Sequence, residues 1–218
     1  MRALTLHTRF STAVLAVLAV LAVSGVAAAA AGLDPKVALK AEDRAVARRI
    51  VLQRSDFGTG WALKRLQLGS KSIAAGSLCT GFHPDLSRLT VTGQAASRAT
   101  NTAKSAVAVA LVFERPAQAR AIAESLQAPF IRHCFQEGKT RNGVRVDSVA
   151  RDSLLGNPRF HVEMTFVAAR KRYFADYVFL TRGRQWVSVT FSSVGLKLPA
   201  SIEPRAIEAL QGRIKSGS

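Results

Sequence analysis

The stretch from Arg159 to Phe191 constrains the fold more than any other part of the chain. RFHVEMTFVA (159–168) alternates Phe160, Val162, Met164 and Phe166 with its remaining residues. RYFADYVFL (172–180) places Phe174, Asp176, Val178 and Leu180 on one face and Tyr173, Tyr177 and Phe179 on the other, and QWVSVTF (185–191) alternates Val187, Val189 and Phe191. Strand side chains point to opposite faces in turn, so a period of two marks each stretch as a strand. The links ARK (169–171) and RGR (182–184) are hairpin-short, which makes the three strands an antiparallel meander. Trp186, opposite Val187 in phase, is expected to be covered by a second layer.

Other strands precede the meander. WALKRLQL (61–68) reads as a short strand, and LSRLTVTGQAAS (86–97) and SAVAVALVF (105–113) as two more, the latter alternating Val107, Val109, Leu111 and Phe113. Asn142-Gly143 is a turn signal before a further strand in RNGVRVDSVA (141–150). Helical spacing predicts a helix over Asp34 to Arg54, capped by Asp34 and carrying Val37, Ala41, Ala45, Ala47, Ile50 and Val51. In SDFGTGW (55–61), Asp56, Gly58 and Gly60 make a turn that delivers Trp61, and KSIAAGSLCTGFHPD (71–85) reads as loop. Pro116 opens a helix with Ala119, Ile122, Ala123 and Leu126 on one face. Pro129 starts a helical turn carrying Cys134, and Pro199 and Pro204 lead into a final helix with Ala206, Ile207, Leu210 and Ile214 inward. Strands in runs, with helices between and after them, predict an α+β class: one domain over 34–216, an antiparallel sheet flanked by helices.

The N-terminus has the layout of a secretory signal peptide over 1–31. Arg2 and Arg9 precede an apolar run, and Ser24-Gly25 and a string of alanines offer A-x-A cleavage sites. An uncleaved anchor is the alternative, since Ala13 to Ala31 is just long enough to span a bilayer. No cysteine lies near the cleavage region to take a lipid, and no later apolar stretch is long enough to cross a membrane. The expected location is therefore the cell envelope or medium.

Charge bears on partners. The chain has 31 Lys and Arg against 14 Asp and Glu; removing Arg2 and Arg9 leaves 29 minus 14, or +15. Arginine outnumbers lysine 22 to 9, a bias that arises on any solvated surface of a protein from a high-GC genome. No run reaches five or six like charges, and aromatics do not interleave with the basic residues, so no specific nucleic-acid partner is expected. A dispersed cationic surface is one reading. The other is an anion-binding face, for which Arg170, Lys171 and Arg172, and Arg182 with Arg184, are the candidates.

Few chemistries are on offer. G-x-S-x-G, H-E-x-x-H, Walker A and paired C-x-x-C are absent. After the signal region the chain has His83, His133, His161, Cys79 and Cys134, far apart in sequence, so no metal centre or cofactor is expected. His133 sits beside Cys134, but adjacent helical residues point about 100° apart, which argues against a nucleophilic dyad. Exported thiols are usually oxidised, so a Cys79–Cys134 disulfide is expected. Asp176 shares a strand face with Phe174 and Val178. A glycosidase would need a second carboxylate roughly 5 to 9 Å away, and although Glu163 lies on the neighbouring strand, parity gives no reason to pair the two. Asp176 is expected to be balanced by an arginine or to face solvent.

The order of landmarks resembles a known group. SDFGTGW, Cys79, TVTGQAAS, VAVALVFERPAQARAIAESL, Cys134 and DYVFLTRGRQWVSVTFSS with a terminal helix resemble secreted actinobacterial domains related to the extracellular sensor domains of mycobacterial receptor kinases. The resemblance covers most of 40–214 and implies a PsbP-like α+β fold. Those sensor domains typically carry two disulfides where this chain has cysteines for one, and no kinase follows here, so a sensing role does not transfer. The resemblance supplies no catalytic residues. The leading expectation is a non-enzymatic exported domain binding a small ligand or envelope component. The alternatives are a protein that binds anionic envelope polymers, lipid headgroups or nucleic acid, and a hydrolase, whose mark would be a buried carboxylate or histidine pair with perturbed titration.

Overall fold

The structure is a computed structural model that describes residues 34–68, 85–126, 140–141, 144–154, 157–199 and 201–215. Its strands are β1 (Lys36–Val37), β2 (Ala62–Leu66), β3 (Thr90–Asn101), β4 (Lys104–Phe113), β5 (Thr140–Arg141), β6 (Val144–Leu154), β7 (Asn157–Ala168), β8 (Lys171–Arg182) and β9 (Gln185–Val194). The helices are α1 (Ala41–Arg49), α2 (Pro116–Leu126) and α3 (Ile202–Lys215), with a single 3-10 turn at Arg54–Asp56. All nine strands join one sheet in the order β1-β3-β4-β9-β8-β7-β6-β5, with β2 also on β3. Among the described residues only the β1–β3 pairing is parallel.

The meander forms as its alternation requires. β7, β8 and β9 are consecutive antiparallel neighbours, and β9 continues onto β4. The β7–β8 turn is two residues, Ala169 and Arg170, both at positive φ (48° and 60°). That is the twist a tight hairpin wants, obtained without glycine. The β8–β9 turn puts Gly183 at φ 53° in its first central position.

Helices cover the sheet unevenly. On one face, α1, the 3-10 turn and α3 bury Ala47, Ile50, Val51, Ile207, Leu210 and Ile214 against Ala106, Ala108, Ala110, Val178, Val187, Val189 and Phe191. The alanines of β4 are small because α1 lies close. At Gly93 of β3 an added Cβ would stand 2.2 Å from the Asp43 backbone oxygen. On the opposite face, α2 brings Ala119 and Ile122 onto Leu111, Phe113 and Trp186, so Trp186 is covered by a second layer as expected. That face continues apolar through Phe160, Val162, Met164 and Phe166 of β7. The turn after α1 delivers Trp61 as read from sequence: Gly60 has φ 85°, and the ring stacks on Phe57 at 4.5 Å.

One element differs from expectation. The N-terminal helix starts at Ala41 rather than Asp34, because Lys36–Val37 runs as β1 beside β3. Lys36, Ala38 and Lys40 donate their backbone N–H groups to Leu89, Val91 and Thr92. The edge of β3 thus offers backbone partners that the first turn of a helix leaves unmet.

Candidate functional site

Beyond α3, the α1/α3 face of the sheet changes character. Val178 and Leu180 of β8 lie under α3. Residues on the same face toward the start of β8 are Asp176, Phe174 and Arg172, opposite Glu163, Thr165 and Val167 of β7. A bulge between Val146 and Ser148 adds Asp147 beside Arg145 of β6, and Lys197 enters from the β9–α3 link. Arg145, Asp147, Glu163, Thr165, Val167, Arg172, Phe174 and Lys197 line an open groove of about 520 Å³.

The groove's charges differ in how they are committed. Arg145 Nη2 is 2.7 Å from Asp147 Oδ1 and its Nε donates to the same oxygen at 2.8 Å, while Thr165 Oγ1 donates to Asp147 Oδ2. Partial burial alone would push the Asp147 carboxyl up, but the hydrogen bonds from Thr165 and Arg145 and the charges of Arg145 and Lys197 outweigh it and hold it below the usual carboxylate range. Lys197 Nζ lies 3.5 Å from Glu163 Oε2. The Arg172 side chain is exposed and has no ion pair or side-chain hydrogen bond among the described residues.

Beside the groove, where α3 begins, lies a second arrangement. His161 of β7, 8% exposed, sits next to Glu163 and Asp176. One ligand atom from each of the three lies within 4.8 Å of the other two. Glu203, in the first turn of α3, places Oε1 3.5 Å from His161 Nε2 and shares a hydrogen bond with Asp176. Burial pushes the Asp176 carboxyl up and the charge of Glu163 adds to this, against the Glu203 hydrogen bond and the charges of His161 and Lys197. The expectation of an arginine or solvent beside Asp176 is thus corrected. Its neighbours are two carboxyls, an imidazole and a lysine, and Glu163 is its direct cross-strand partner.

The basic residues singled out in the sequence do not form one patch. Arg170, Lys171 and Arg172 sit at the β7–β8 turn, whereas Arg182 and Arg184 sit at the other end of β8, about 36 Å away at the usual rise per residue. Arg172 alone of the five lines the groove. Arg184 is committed elsewhere: its Nη2 and Nη1 donate to the Asp43 carboxylate at 2.7 and 3.1 Å, tying α1 to the β8–β9 turn. Cys79, Cys134, His83 and His133, and with them the expected disulfide and the expected signal peptide over 1–31, lie outside the described residues. Sequence reasoning missed the His161–Glu163–Asp176–Glu203 cluster, although counting partners outward from the two-residue turn at 169–170 pairs 163 with 176.

These elements define an α+β domain with a mixed, mostly antiparallel open sheet flanked by three helices. No family model matches the chain, and no curated protein matches it in sequence. Among solved structures, it is similar to the extracellular domain of PknH from Mycobacterium tuberculosis. The TM-score is 0.53 at 14% identity, with 84% of this chain and 100% of that one covered. An uncharacterized protein of Mycobacterium smegmatis, the Rv0999 ortholog, superposes with a TM-score of 0.43 at 15% identity, over 79% of this chain and 95% of that one. The PknH match bears out, for the fold, the resemblance read from the sequence. Among the described residues no helix is long and apolar enough to cross a membrane.

Proposed function

We propose that the chain is an exported, non-enzymatic binding domain whose ligand is a small amphipathic molecule with an acid group, seated in the groove over β6, β7 and β8. The observation that carries this is the Arg172 guanidinium, without an ion pair among the described residues, beside Phe174 and Val167. A planar cation with five donors next to an apolar surface suits a carboxylate, sulfonate or phosphate attached to a hydrocarbon. The signal-like N-terminus and the fold shared with an extracellular domain support export. Asp176 has the raised carboxyl expected of a hydrolase acid, but of His161, Glu163 and Asp176 only Glu163 lines the groove. The other carboxylate on the groove, Asp147, is engaged by Arg145 and Thr165 and held below the usual carboxylate range, an arrangement that supports binding over acid–base work.

The test uses a fluorescent anilinonaphthalene sulfonate as probe, displaced by a long-chain fatty acid. Arg172→Ala should weaken probe binding at least tenfold, about 1.4 kcal/mol, and Arg182→Ala should leave it unchanged. Equal binding by the two variants would refute the groove. A steep loss of heparin binding with salt, reduced equally by either substitution, would instead support recognition of anionic polymers by a dispersed surface.

A further inference from the structure

We infer that His161, Glu163 and Asp176, completed by Glu203, form a binding site for one divalent transition-metal ion of the zinc type. The inference does not depend on the groove ligand. Three donor atoms from adjacent strands already lie within 4.8 Å of one another, and Glu203 Oε1 approaches the same imidazole from α3 at 3.5 Å. Zinc bonds to nitrogen and carboxylate oxygen are about 2.0–2.2 Å, which puts the ligands of a tetrahedral ion about 3.4 Å apart. The donors therefore need to close by about 1.4 Å at most, a movement within reach of side-chain rotation.

Charge argues the same way. Three carboxyls and a buried imidazole meet at the N-terminal end of α3, where Lys197 Nζ lies 3.5 Å from Glu163 Oε2. Carboxylates crowded together at a half-buried site repel one another, and a bound cation relieves that cost. The imidazole decides the class of ion: nitrogen with carboxylate oxygen favours zinc and its neighbours over magnesium or calcium, which take oxygen ligands. The backbone contributes rigidity. His161, Glu163 and Asp176 stand on paired central strands, and Glu203 is fixed by a helix whose inner face is buried. A site built on strands and a helix holds its geometry better than one on loops.

The experiment takes the untagged full chain, strips it with chelator, and titrates it with Zn²⁺ by calorimetry and with Co²⁺ by visible absorption. One saturable equivalent is expected, with the absorption bands of four- or five-coordinate Co²⁺. His161→Ala and Asp176→Asn should each weaken binding at least tenfold. Glu208→Gln, on the exposed side of α3, and the double change His83→Ala with His133→Ala should leave it unaltered. Absence of saturable binding, binding unchanged in both site variants, or its loss in the His83/His133 double variant would each overturn the site. If His161→Ala does not fold, the wild-type imidazole ¹⁵N spectrum decides: Zn²⁺ should move the signals of one histidine and leave the others in place. A spectrum in which none moves, or in which several move together, refutes the site.

Discussion

The two halves of this sheet obey the same alternation and meet different fates. On the α1/α3 face, β9 presents Val187, Val189 and Phe191, all fully buried under helices. Two strands away, β7 presents His161, Glu163 and Thr165 on the same face, and there α3 has only begun. Ion pairs divide in the same way. In the covered half, Arg213 Nη1 and Nη2 each reach the buried Asp56 carboxylate at 2.7 Å, binding α3 to the 3-10 turn. In the open half, the Arg145 side chain is 63% exposed over Asp147. A sheet covered across part of its width makes a ledge at the boundary. Polar groups gather there because they are neither forced into the core nor wholly solvated, which is where perturbed groups mark functional sites.

The sharpest way to break this comparison is to remove one arginine from each half. Arg213→Ala strands the Asp56 carboxylate, whose side chain is 1% exposed, and should cost about 3 to 5 kcal/mol, the range for breaking a buried pair from one side. Arg145→Ala should cost less than about 1 kcal/mol, because both partners reach water. Urea unfolding of the two variants measures the gap. Equal costs would mean that the groove is as much a part of the core as the helix-covered half.

A second test asks how tightly the covered half is closed. Gly93→Ala drives a methyl into the α1 backbone, 2.2 Å from the Asp43 oxygen and 2.4 Å from its carbonyl carbon. Backbone cannot rotate away as a side chain can, so a loss of about 1 to 3 kcal/mol is expected, at least that of ordinary overpacking. Gly58→Ala, with nothing within 4 Å of the added Cβ, should be close to neutral. The pair of unfolding midpoints measures the effect, and a neutral Gly93→Ala would show that α1 rests loosely on β3.

Much of the covered half is legible in the sequence. Val107 to Phe113, the β7–β9 meander and the Ala206–Ile207–Leu210–Ile214 stripe announce themselves by period, because burial on a face leaves an apolar imprint. The ledge leaves no such imprint. Its legibility depends on register, and register depends on a turn of Ala169 and Arg170, neither of them the glycine or asparagine that usually marks positive φ. Taken as the three residues ARK, the link slips the pairing by one and sends Glu163 and Asp176 to opposite faces. Taken as two, it makes them partners. β1 escaped notice for another reason: a two-residue edge strand has no period to detect, and Lys36–Val37 is held by backbone bonds that any residue can make. Arg172 was singled out for its neighbours' charge, yet what distinguishes it is its place in the groove beside Phe174 and Val167, which only the fold reveals.

The smallest expected effect sharpens the comparison through acid. Burial alone would raise the Asp43 carboxyl, but hydrogen bonds from Arg184 and Thr92, with the charges of Arg184 and Lys40, reverse this and hold it below its ordinary value of 3.8. Asp147 is lowered in the open half by Thr165 and Arg145. For a carboxyl depressed in the folded state, the unfolded chain takes up the proton first as pH falls. The stability each contributes is therefore complete above its unfolded value and is lost as pH drops below about 4 toward the folded one. Asp43→Asn and Asp147→Asn should each flatten the acid limb of stability against pH, leaving the slope near pH 7 unchanged. Salt separates the two. The Asp43 carboxylate is buried with its guanidinium laid across it, so its share should persist at high ionic strength, whereas the Asp147 share rests on an arginine open to solvent and should shrink as salt screens it. Urea midpoints of the wild type and both variants between about pH 2 and 5, at low and high salt, decide the matter. A share at Asp147 that resists salt as Asp43's does would place the groove in the same low-dielectric environment as the core and erase the boundary between the halves.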